Sequence, residues 1–108
     1  MTTVDFLSDD KKLYKGFEAN GHAGSGEYGK DIVCAAVSAL MINTVNSLDE
    51  LTDAHITVES DEKKGFLKLL VEDHERDDVQ LLLSSLYLGL SDIRDENQKY
   101  LKLTNRRY

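Results

Sequence analysis

Residues 31–51 read DIVCAAVSALMINTVNSLDEL, and from Ile32 to Leu48 none is charged, in a chain where 31% of residues are. Val33, Val37, Leu40, Thr44 and Leu48 recur at helical spacing. Ile32, Ala36, Met41, Ile42 and Val45 widen that stripe far around the axis. The spacing predicts a helix over 31–51, and a helix apolar on most sides is normally buried on most sides.

What covers it is read from the flanks. Upstream, residues 3–7 and 12–20 form two predicted strands joined by the polar turn Ser8-Asp9-Asp10-Lys11. In the second, Leu13, Lys15, Phe17 and Ala19 alternate with Tyr14, Gly16, Glu18 and Asn20, the period of a half-covered sheet. Downstream, Ile56 and Val58 lie in a third strand, Asp61-Glu62-Lys63-Lys64-Gly65 is a turn, and Phe66 to Val71 is a fourth. A final helix over 75–97 carries the stripe Val79, Leu82, Leu83, Leu86, Leu90 and Ile93, with Asp77 and Asp78 in its first turn. Tyr100 to Leu103 leave room for a short extended segment. The expectation is α+β: one domain over 1–108, a two-layer sandwich of a mainly antiparallel four-stranded sheet and two helices, in the order ββαββα. A small sheet covers only one side of the first helix, so the surplus apolar surface predicts a homodimer.

Composition narrows the function. The chain has 108 residues, with 13 Lys and Arg against 20 Asp and Glu, a net charge of −7. This balance disfavours direct nucleic-acid binding, which relies on clustered cations, and suits a basic partner. The amino-terminal residues MTTVDFLSDD meet acids before any apolar run, unlike a signal peptide. The interval 32–48 is short and polar for a membrane span. A single cysteine forms no internal disulfide and fits a reducing compartment. The expected location is cytoplasmic, away from membranes.

The chemistry concentrates in Gly21–Ser38, GHAGSGEYGKDIVCAAVS. The glycines among residues 21–29 allow positive φ and movement, so Ala23, Gly24, Ser25, Gly26, Glu27, Tyr28 and Gly29 read as a mobile loop or as a plain crossover. Asp31 is placed to cap the helix, with Cys34 in the first turn, where free amides and the helix dipole favour a thiolate and could hold an oxyanion. Ser38 lies one turn on, along the same face. His22 reaches the helix start if the loop doubles back. By spacing alone, Cys34 is either half of a Cys–His pair or a small buried hydrophobe beside Ala35 and Ala36. His22, Cys34, His55 and His74 show no metal-ligand spacing, His55 and His74 are expected in solvent, and no phosphate-binding fingerprint is present. No metal or cofactor is expected. A redox-sensing thiol would lack a resolving partner in the chain.

Gly21-His22-Ala23-Gly24, a six-residue spacer and Asp31-Ile32-Val33-Cys34-Ala35-Ala36-Val37-Ser38 together resemble the ribosomal-processing cysteine protease family, Prp, over nearly the whole chain. That family consists of small α+β homodimers that remove an N-terminal extension from large-subunit ribosomal protein twenty-seven. The resemblance implies Cys34 as nucleophile and His22 as general base and acid. It implies supporting roles for Gly21, Asp31 and Ser38 in helix capping, orientation or substrate contact. The partner it implies is a ribosomal protein with a basic N-terminal segment, which suits the acidic chain. The alternative is a non-catalytic ribosome-associated binding module with an inert, buried cysteine.

Overall fold

In the computed structural model the described residues are 1–21 and 28–108, with backbone alone for 28–31. The elements follow as β1 (Thr2–Ser8), β2 (Tyr14–Asn20), α1 (Tyr28–Leu51), β3 (Ile56–Asp61), β4 (Phe66–Val71), α2 (Asp77–Glu96) and β5 (Leu101–Arg107). The strands make one five-stranded sheet, ordered β3-β4-β2-β1-β5. The β1–β2, β2–β4 and β3–β4 pairs are antiparallel, while β5 runs parallel to β1, Thr2 opposite Leu101 and Val4 opposite Leu103.

The α+β class and both helices match expectation. Two details are corrected: the sheet has a fifth strand and is mixed, and the order is ββαββαβ. The short segment allowed for at residues 100–103 is in fact a full strand. A parallel neighbour needs a crossover, and α2 supplies it. The register of β5 is set by β1, far away in sequence, so no local pattern announces it.

Alternation puts Val4 and Phe6 of β1, Phe17 and Ala19 of β2, Leu69 and Val71 of β4, and Leu101 and Leu103 of β5 into the core. Val33, Val37, Met41 and Leu48 of α1 meet them, with Val79, Leu83, Leu86 and Leu90 of α2. Phe6 lies at the centre, its ring edge-on to Tyr14 at 5.1 Å and to Tyr87 at 5.0 Å between centroids. Buried Thr44 satisfies its hydroxyl by donating to the Leu40 carbonyl at 2.9 Å. By length and composition alone the Ile32–Leu51 segment could cross a membrane, with a mean hydropathy of 1.5. One side of it is packed into this core, while Ile32, Ile42 and Leu51 stay exposed. The helix is thus less enclosed than its sequence suggests, and an apolar surface remains on α1.

The two loops opposite the β3–β4 turn are tied by side chains. Asp9 Oδ1 accepts from the Lys11 and Leu13 amides at 2.8 and 2.9 Å, shaping the β1–β2 turn. Its Oδ2 meets His74 Nε2 at 2.7 Å. His74 is therefore no solvated histidine: its side chain is only 15% exposed. Asp9, His74 and Glu75 bring ligand-type atoms within 4.8 Å of one another, but the first two are joined by a hydrogen bond that locks turn to turn. His55, by contrast, is exposed as expected, its ring beside Asp73.

Candidate active site

The site is built from the outgoing end of β2. Gly21 has φ +120°, a conformation that side chains rarely adopt. Space is closed to one as well: a Cβ there would stand 2.4 Å from the Met1 carbonyl oxygen and 3.0 Å from Thr2 Cα. Its amide donates to the Gly65 carbonyl at 3.1 Å. The start of β1 and the β3–β4 turn therefore grip the residue that precedes His22.

That turn is itself well fixed. Asp61 Oδ1 accepts from the Lys63 and Lys64 amides at 3.1 and 3.3 Å, and Gly65, at φ 62°, returns the chain into β4. Asp61 is thus spent on local backbone, a common role for aspartate in turns.

Between this turn and α1 lies a cleft of about 420 Å³. Helix α1 lines it with Cys34, Ser38, Met41 and Ile42, and the sheet contributes Thr2 and Ala19. Gly21 closes one side, and Ser60, Glu62, Gly65, Phe66 and Leu67 form the facing wall. Mostly apolar, the lining holds one carboxylate among the described residues, that of Glu62. Cys34 is half-buried, not enclosed, and the Thr2 hydroxyl points at its sulfur, Oγ1 to Sγ 4.0 Å. Cys34, Ser38 and Gly21 thus share one cavity.

Other expected site residues fall differently. His22, Ala23, Gly24, Ser25, Gly26 and Glu27 lie outside the described residues. Tyr28 and Gly29, expected in the loop, form the first turn of α1. Asp31 consequently sits inside the helix, not before it, and its side chain lies outside the described residues. With the helix starting a turn early, Cys34 stands in its second turn, where free amides are fewer and the dipole's effect fades. Activation of the sulfur by the helix start alone, and an oxyanion held by first-turn amides beside it, lose their geometric basis. Thr2 and the wall from Ser60 to Leu67 were not singled out from sequence; Thr2 lies outside the strand expected over 3–7.

Elsewhere, hydrogen bonding shifts several carboxyls. His74 holds Asp9 below the usual carboxylate range, and the Arg76 guanidinium does the same for Asp78. For Asp73 the leading cause is the backbone amide of His55. All three serve the loops around α2, away from the cleft.

Comparison with known proteins places the chain. The family model described as cysteine protease Prp matches residues 1–102. The chain belongs to the Prp family. It is accordingly a cysteine protease, and the reading as an inert binding module is set aside. The ribosomal processing cysteine protease Prp of Staphylococcus aureus (strain Mu50 / ATCC 700699) is 33% identical over 103 residues, covering 95% of this chain and 97% of the relative. The crystal structure of the essential ribosomal processing protease Prp from S. aureus with a substrate peptide superposes with a TM-score of 0.92 at 31% identity, over 98% of this chain and 100% of that one. The same enzyme with a covalently linked product peptide gives 0.89 at 32% identity, again over 98% and 100%. The likeness to these Prp structures includes the two helices and the mixed five-stranded sheet.

Proposed function

We propose that this Prp-family protease removes the N-terminal extension of large-subunit ribosomal protein twenty-seven, with Cys34 as nucleophile and His22 as general base and acid. One observation carries the assignment. A cysteine protease needs a thiol, the chain has a single cysteine, and that cysteine opens on a peptide-sized cleft whose edge is Gly21, next to His22 in the chain. The covalently linked product peptide on the S. aureus relative supports an acyl-enzyme route.

In that route the substrate lies extended in the cleft between α1 and the β3–β4 turn. His22 takes the proton from Cys34, and the sulfur attacks the scissile carbonyl carbon. Collapse of the tetrahedral intermediate breaks the C–N bond as His22 protonates the leaving amine. Water, deprotonated by His22, then cleaves the thioester, releasing the new carboxyl terminus and restoring the thiol. Ser38, a turn beyond Cys34 on the same wall, contacts the peptide; Asp31 either stays with the helix or orients His22. The acidic chain attracts the basic segment of the substrate. The protein works in the cytoplasm as a homodimer, burying exposed Ile32 and Ile42 of α1.

The test is incubation with the full-length ribosomal protein and mass measurement of the products. Trimming at one N-terminal site by the wild type, and none by a folded Cys34→Ser variant, is expected. Undiminished trimming by Cys34→Ser would end the reading.

A further inference from the structure

On β1 the side chains facing the core are Thr2, Val4 and Phe6. Thr2 is buried, at 5% exposure, and pairs with Leu101 across the sheet. A hydroxyl at such a position is costly unless bonded, and valine has almost the same shape without that cost. The structure gives the hydroxyl one partner among the described residues, Cys34 Sγ at 4.0 Å. The oxygen is held in place beside the sulfur, because threonine is β-branched and stiff about χ1. The strand beneath is pinned too: the Thr2 amide donates to the Tyr100 carbonyl at 3.0 Å. Cys34, in the second turn of α1, has few free helix amides nearby, so a donor from the sheet fills that gap.

We infer that Thr2 is a positioning residue for the nucleophile: its hydroxyl donates to Cys34 Sγ and holds the sulfur facing the cleft. The inference rests on Cys34 being the nucleophile. A donor to sulfur binds the charged form more tightly than the neutral one, and the contact shortens as it does so. Catalytic hydrogen bonds are often long before substrate binds and tighten afterwards. Thr2 lines the cleft as well, but its hydroxyl is directed at Cys34, through which it acts.

Two variants separate the hydroxyl from its packing. Thr2→Val keeps the shape and removes the donor, and Thr2→Ser keeps the donor and removes a methyl. The first readout is the rate of Cys34 alkylation by iodoacetamide at neutral pH, followed by mass on the full chain. Thr2→Val should slow alkylation on the order of 5-fold, the loss of one modest hydrogen bond, with the melting temperature unchanged or raised. Thr2→Ser should stay within about 2-fold of wild type. In peptide cleavage Thr2→Val should lower kcat with KM unchanged. Alkylation of Thr2→Val at or above the wild-type rate would overturn the inference, and so would Thr2→Ser as slow as Thr2→Val. Alkylation needs no substrate, so cleavage surviving in Cys34→Ser would overturn the nucleophile assignment separately.

Discussion

Replacing Gly21 by alanine tests the architecture on which the site depends. The backbone conformation at φ +120° costs a residue with a side chain about 1–3 kcal/mol. The added Cβ would meet the Met1 carbonyl oxygen at 2.4 Å, so the start of β1 must move. Overpacking of this kind costs about 1–3 kcal/mol more. Restricting the unfolded chain returns only about 0.4–1 kcal/mol. With each contribution at the middle of its range, the net loss is about 3 kcal/mol. For a chain of this length the unfolding entropy is roughly 0.23 kcal/mol/K, so the midpoint should fall by about 13 °C. Thermal unfolding followed by far-UV circular dichroism measures it. Gly65→Ala serves as the comparison: at φ 62° it should lose only about 1–2 kcal/mol. A Gly21→Ala variant melting within about 2 °C of wild type, or one more stable than Gly65→Ala, would refute the reasoning.

Three further outcomes are expected. Phe6→Ala removes a fully buried ring at the centre of an aromatic cluster and should cost about 3–5 kcal/mol in urea unfolding. For Asp9, hydrogen bonded to His74, the folded-state pKa lies below the ordinary 3.8. The charge therefore stabilises fully above that ordinary value, and its contribution drains away as pH falls through the lower, folded one. Wild type should thus exceed Asp9→Asn in stability near pH 5, with the gap closing on acidification below 3.8; a constant gap down to about pH 2 would contradict it. Sedimentation at about micromolar concentration should show a dimer, and an Ile32→Glu variant, altered at an exposed position on α1, should sediment as a monomer.

The legible parts of the fold were those whose signal is local. Alternation in β2 and the stripe of α2 state their own geometry, because each residue's face follows from its neighbours. β5 was not legible to the same degree, since Leu101 and Leu103 acquire meaning only opposite Thr2 and Val4. His74 was misplaced for a similar reason: its partner Asp9 lies 65 positions away. At the site, Cys34, Ser38 and Gly21 were found through composition and motif, and the cleft gathers all three. The start of α1 was misjudged by one turn because Asp31 looked like a cap. The wall from Ser60 to Leu67 was missed because a hairpin's sequence does not say what it faces.

The parallel seating of β5 against β1 has a consequence in time. The Thr104 hydroxyl bonds to Asp5, 99 positions earlier, and Tyr100 fixes the amide of Thr2. During synthesis the cysteine emerges long before the segment that steadies the strand behind it. A chain still lacking residues 100–107 has its thiol but not a settled wall for the cleft. Sequence separations of this size slow folding, and here they fall at the step that finishes the site. The fold thus ties completion of the site to its last strand: the wall behind the cysteine settles only once β5 has joined β1.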